Sequence, residues 1–436
     1  MMLDIMKKGL EAALRIASEA EVYASFSNFA SVEIEKDKIH RLEAGSGGGI
    51  GIRAVVEGKV GFAYMSDPAK VEDCAREAVK LARVAGSDFR GFSEKQGAYH
   101  SVKGIFDPLI ADLEVNERIA YAEMMIDAAK EVDDAIKVTG GEIGTSSGSR
   151  WIMNSNGVEI SEDSTSIGAS VSVALGEISA WDWQESKLLS NIDLESLAKE
   201  TATLAVNSQK PVKIEGGIKS VILSPRAVSS LFSATAINHL LGDSIQEKRS
   251  PYMERVDEAV ASDSVTIIDD GRYYNGTGSR IFDGEGTPSC RTVVIEDGIL
   301  RGFLYDIYTA RKEGVDSTGN ASRSFDSTPK TAPSNFVIKP GNREEDELIA
   351  EVRDGIFVTD LIGAHTASRT SGEFSLLVHN GFRIEKGELG DPLGQVMISG
   401  SSVELLENVI LTGSDTSQRG NIVSPSILVG EVQVSQ

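Results

Sequence analysis

Apolar and polar residues alternate through "AEVYASFSNFASVEIEKDKIHRLEAG" (20–45), a period of two that predicts a pair of half-buried strands. The residues before it, "MMLDIMKKGLEAALRIASEA", repeat their apolar positions at helical spacing and read as an amphipathic first helix. After the strand pair, "GSGGGIGIRAVVEGKVGFAYMSD" reads as a Gly-rich turn leading into two further strands, with Glu57-Gly58 as their tight turn. Residues 67–86 return to helical spacing, with Asp67 placed to cap and Pro68 at the first helical position. A second helix fits 115–132. Strands are expected from Ile136 to Leu189, with "NSNG" (154–157) as a turn, and a helix at 192–206.

The polar segment "NSQKPVKIEGGIKS" (207–220) then breaks the pattern, and the texture changes beyond it. One apolar helix is expected around 226–247 and a charged one near 343–353; the remainder is short strands separated by Gly, Asn and Asp. The fold class is therefore α+β with two domains: an N-terminal α/β layer domain over 1–212 and a C-terminal β-rich domain, barrel or sandwich, over 213–436 with one buried helix. A chain of 436 residues exceeds one compact core, in keeping with that division.

Charge narrows the partners. With 66 acidic and 43 basic residues the chain carries −23, a field that repels phosphate backbones and anionic membranes. No nucleic acid and no membrane partner is expected. The N-terminus lacks the basic, apolar and small-residue order of a signal peptide, and no apolar run is long enough to span a bilayer, so a cytoplasmic location is expected. Two cysteines, Cys74 and Cys290, are too few for a disulfide scaffold or a four-cysteine zinc site, and both should be reduced and buried.

Three stretches could carry chemistry. "GTSSG" (144–148) matches Gly-x-Ser-x-Gly, which would make Ser146 a nucleophile, but "SRWIMNSNG" after it reads as strand and turn where that motif needs a helix; a hairpin loop is the simpler reading. The glycines at 45–51 lack the Gly-Lys-Ser/Thr ending of a phosphate loop. "AINHLLGDSIQE" (236–247) carries His239, with Asn238 before it and Asp243 four residues after it. On one helix, His239 and Asp243 would share a face, placing an imidazole–carboxylate hydrogen bond within reach. As metal ligands they make only two, since Asn238 is a poor substitute for imidazole on zinc. His40, His100, His365 and His379 are scattered without paired spacing.

"FDGEGTPSCRTVVIEDGILRGFLYDIYTARKEGVDSTGNASR" (282–323), "GIGIRAVVEGKVGFAYMSD" and the "NSNG" turn resemble the TldD/PmbA family, also described as modulators of DNA gyrase. The resemblance runs from the first helix to "SPSILVGEV" (424–432). It implies a two-domain protein of a heterodimeric metallopeptidase that cleaves unfolded or extended peptides in an enclosed chamber. The TldD-like branch carries His-Glu-x-x-x-His and a later cysteine. Aligned on Gly242, those positions fall on Asn238, His239 and Asp243, and "LTGSDTSQRGNIVSPSILVG" contains no cysteine. The resemblance therefore implies the PmbA (TldE) branch: no catalytic residue, no metal and no cofactor of its own, with zinc expected in a TldD-like partner. Two other readings remain open: a free-standing metal-dependent hydrolase using His239 and Asp243, and a protein-binding regulator of gyrase. A homodimer is a further possibility.

Overall fold

The structure, a computed structural model, describes residues 2–95 and 99–436. The N-terminal domain is built on a seven-stranded antiparallel sheet. Its strands are β1 (Glu19–Glu35), β2 (Lys38–Val56), β3 (Lys59–Met65), β4 (Ser87–Asp88), β5 (Lys137–Asn154), β6 (Glu159–Leu175) and β7 (Ile178–Ser186), in the order β4-β3-β2-β1-β5-β6-β7. Helices α1 (Met2–Leu14) and α2 (Val71–Ala85) cover one end of this sheet, and α3 (Val115–Val132) and α4 (Leu194–Asn207) cover the other. Alternation explains the arrangement. Val22 and Ala24 of β1 pack in the core containing α1 and α2, while Val32 and Ile34 pack with α3 and α4, so both helix pairs lie on the even-numbered face.

Local signals behave as the sequence predicts at several points. The Asp67 side chain accepts from Ala69 N, with Pro68 at the first position of a short 3-10 turn leading into α2. Glu57 and Gly58 both adopt positive φ, as a two-residue hairpin turn between β2 and β3 requires. The Asn154 side chain accepts from Asn156 N and Val158 N, which closes the 154–157 turn.

Two Gly-rich stretches are not turns. Residues 45–51 run inside β2, paired with β1 from Phe29 to Tyr23, and 144–148 run inside β5 between β1 and β6. The reason is long-range. A Cβ at Gly49 would lie 2.5 Å from the Phe325 ring, and one at Gly51 would lie 2.2 Å from the Phe325 carbonyl oxygen. The glycines let a C-terminal segment rest directly on the odd-numbered face of the sheet.

In the C-terminal domain, five strands close into a barrel: β8 (Gly217–Leu223), β9 (Asp354–Ile362), β10 (Glu373–Glu385), β11 (Met397–Ser401) and β12 (Ile427–Ser435). β8 pairs parallel with β9; the circuit β9-β10-β11-β12-β8 is otherwise antiparallel and leaves no free edge between its members. A second sheet of six short strands, from Ile267–Asp270 to Ile422–Ser424 with Ser417–Arg419 at its edge, shares the barrel's hydrophobic core.

A buried ionic network joins the domains. Glu21 on β1 accepts from Arg53 Nε and Nη2 on β2, both at 2.9 Å, and pairs with Arg323 of the C-terminal domain at 2.6 Å. Arg53 also reaches Glu285 at 3.3 Å. Burial alone would raise the Glu21 carboxyl, but Arg323 and Arg53 outweigh it and hold the group below the usual carboxylate range.

Candidate functional site

The segment expected as one helix over 226–247 is three: α5 (Pro225–Ala234), α6 (Ala236–His239) and α7 (Gly242–Gln246). Ser224 caps α5 by accepting from Ala227 N, and Pro225 occupies the first position. The first break falls at Thr235, whose φ of −128° and ψ of −86° are not helical and whose hydroxyl donates back to Leu231 O at 2.7 Å. The second lies at Leu240-Leu241. There Leu304 N donates to Leu240 O at 2.9 Å and Gly242 N donates to Leu304 O at 2.8 Å, so an isolated bridge to a distant segment replaces helical bonds. Tyr305 lies against Gly242, where a Cβ would fall 2.4 Å from the ring.

These breaks separate the predicted pair. His239 ends α6 and Asp243 lies in α7, across an extended Leu241. They are not one turn apart on a common helix, and no hydrogen bond joins them: both ring nitrogens of His239 and Oδ1 of Asp243 have no partner among the described residues. The expected imidazole–carboxylate bond is thus absent, because the spacing of four has meaning only on an unbroken helix.

His239 is fully buried, edge-on to Tyr252 at 5.8 Å between ring centroids. The Ser250 hydroxyl donates to its carbonyl at 2.6 Å. Gly372 covers the ring, since a Cβ there would lie 2.8 Å from Cε1. Burial lowers the imidazole's proton affinity; the backbone of Thr370 and Arg369 opposes this from nearby without a hydrogen bond of normal geometry. Asp243 is shifted the other way, raised by burial and by Glu247 and Asp306, with Ser244 N and Arg249 opposing. Asn238 makes one long amide contact, 3.4 Å, to Thr235 O. Among the described residues, no group of three or more His, Cys, Asp or Glu is placed to hold a metal ion. One neutral buried imidazole beside a phenol and a glycine does not fit zinc, so no metal chemistry is derived for this site.

The other candidates do not converge here. Ser146 lies in β5, where its hydroxyl shares a 2.9 Å bond with Ser166, and strands flank it on both sides, unlike a nucleophile elbow. His40 faces Glu35 at 3.3 Å on the exposed end of the sheet. Cys74 is buried as expected, whereas Cys290 is only half-buried; both are free thiols. Sequence reading missed the joint formed by Glu21, Arg53, Glu285 and Arg323. Its only local signal was a charge inside an apolar strand, as in "GIRAVV".

An orphaned buried histidine makes a sharp prediction. His239→Phe should change stability by less than about 1.5 kcal/mol, because it keeps an aromatic ring edge-on to Tyr252 and removes two unsatisfied nitrogens, which offsets the somewhat larger ring. The wild-type ring enters the fold neutral, with its affinity for protons depressed, so it contributes stability that is present above the unfolded histidine range and lost as pH falls through about 6.5 and below. In urea titrations at pH 8 and pH 5.5, the variant should lose less stability on acidification than the parent. An equal loss in both proteins would show that His239 is not buried neutral.

The two-domain fold and the broken helix at its core define the class. The PmbA/TldA metallopeptidase family matches three consecutive stretches: its domain 1 over residues 20–82, its central domain over 108–209 and its C-terminal domain over 216–436. The chain belongs to this TldD/PmbA family. An uncharacterised protein of Methanocaldococcus jannaschii is 32% identical over 419 residues, covering 95% of this chain and 96% of that protein. Metalloprotease PmbA of Escherichia coli is 25% identical over 446 residues, covering 99% and 96%. The crystal structure of TldE from Thermococcus kodakarensis superposes with a TM-score of 0.91 at 24% identity, covering 99% of this chain and all of that one, a likeness of fold. No helix among the described residues is long and apolar enough to cross a membrane.

Proposed function

We propose that this chain is the non-catalytic, TldE-like subunit of a two-component metallopeptidase acting on unfolded or extended peptides, with the zinc and the general base supplied by a TldD-like partner. The observation that carries the reading is the site at 238–243. In a chain of a metallopeptidase family, the one histidine on the buried segment is enclosed, neutral and without a second imidazole or thiolate beside it. Catalytic zinc sites need three protein ligands with an open fourth position. Cytoplasmic location and division at 212/213 into two domains belong to the same reading.

The test is co-expression with a TldD-like protein from the same cell, followed by elemental analysis and peptide hydrolysis by each chain alone and by the pair. This chain alone should carry no stoichiometric zinc and give no turnover, while the pair should hydrolyse unstructured peptides. Turnover by this chain alone, with about one metal per chain, would overturn the assignment.

A further inference from the structure

The joint between the domains holds carboxylates that its cations do not pair one to one. Arg53 directs Nε and Nη2 at Glu21, and Arg323 pairs with the same carboxylate. Glu285, 2% exposed, is left with a 3.3 Å contact to Arg53 Nη1 and a 2.8 Å hydrogen bond from Ile307 N. Asp283, fully buried, shares its turn: Oδ1 accepts from Glu285 N and Thr287 N, and Oδ2 accepts from Ala321 N. Asp306, 4% exposed, immediately precedes Ile307 and accepts from Thr309 N and Oγ1. Of the remaining charged and titratable groups that face this cluster, Arg280 and Arg150 act on Asp283, Tyr99 donates to Gly286 O while feeling the Asp283 charge, the Cys290 thiol feels Asp283 as well, and Asp243 feels Asp306.

We propose that the buried Asp283–Glu285 pair, with the Asp306 carboxylate beside it, binds a proton when the two domains are docked, so that the joint tightens as pH falls and loosens as pH rises. Two carboxyl groups enclosed two residues apart, Glu285 beside an Arg53 already committed to Glu21 and Asp283 beside Arg280, cannot both ionise without a large desolvation cost. Burial pushes the Glu285 carboxyl up to about 7; Arg53 opposes the rise, and Asp283 and Asp306 add to it. Burial raises Asp283 as well. A carboxyl whose docked pKa lies above its free value of 4.5 favours docking fully below that value, and the contribution is lost as pH rises through about 7. A simple Arg53–Glu285 ion pair would give the opposite sign, with docking weakened by acid.

The test is hydrogen exchange of the Ile307 amide, whose N–H points at Glu285, in the full chain at pH 6 and pH 8. Opening of the joint should increase about tenfold over that interval beyond the intrinsic base-catalysed rise, from the values of 4.5 and about 7. Glu285→Gln should exchange with the intrinsic rise alone, because it presents the uncharged form at every pH. An excess rise that persists in Glu285→Gln, or its absence in the parent, would overturn the proposal. If the variant does not fold, carbon-13 titration of the parent's carboxyl groups decides. One buried carboxyl titrating near neutrality in the folded chain and not in urea supports the cluster; none above about pH 6 sinks it.

Discussion

Glu21→Ala should reduce unfolding free energy by about 3–5 kcal/mol, the cost of leaving buried cations without their counter-charge. Glu21 is fully buried, and the Arg53 and Arg323 side chains it pairs with are 9% and 1% exposed. Removing the carboxylate leaves Arg323 without the carboxylate it pairs with and Arg53 with Glu285 alone, both between the domains. That loss is a large part of the roughly 5–15 kcal/mol of a typical domain. Urea unfolding of the variant, with far-ultraviolet circular dichroism to confirm native content, measures it. Adding Arg53→Ala to Glu21→Ala should cost much less than the sum of the two single changes, since the partners belong to one network. Additive losses would mean that the ion pairs do not bear on one another.

Phe232→Ala should be comparably severe, about 3–5 kcal/mol, through the cavity it leaves. Phe232 is fully buried on α5, in the hydrophobic core that includes Leu223 of β8, Val358 of β9 and Ile422 of the second sheet. The prediction separates two accounts of the 225–246 segment. If it is retained as core, truncation there destabilises the barrel domain, whereas His239→Phe should not. A loss below about 1 kcal/mol for Phe232→Ala would show that α5 is peripheral to stability. Denaturant midpoints of the chain alone and of the chain mixed with the TldD-like protein proposed above would distinguish core damage from damage to an interface.

Much of the architecture is legible in local pattern. The alternation in β1 and β2, the helical spacing of 115–132, the Asp67 cap and the turns at 57–58 and 154–157 depend on neighbours a few residues away, so periodicity and turn chemistry report them directly. The short, turn-rich strands after 217 likewise announce a β-rich domain, and the closed circuit β8-β9-β10-β11-β12 is one of the two forms such strands take.

Tertiary structure decided what lies on the second face of each element. The glycines at 45–51 read as a turn because no local residue needs them; Phe325, more than 270 positions later, supplies the reason by resting on Gly49 and Gly51. Arg53 has no partner legible near it in sequence; Glu21, more than 30 positions earlier, and Glu285, more than 230 later, supply its counter-charges. The helix over 226–247 obeys helical periodicity, yet Leu304 competes for the backbone of Leu240 and Gly242 and breaks it, which parts His239 from Asp243. Sequence thus determined the elements, their order and the family, because backbone preference and one-sided burial are encoded by near neighbours. The joint, the broken helix and the fate of the histidine depended on contacts between segments distant along the chain, and no local period records those.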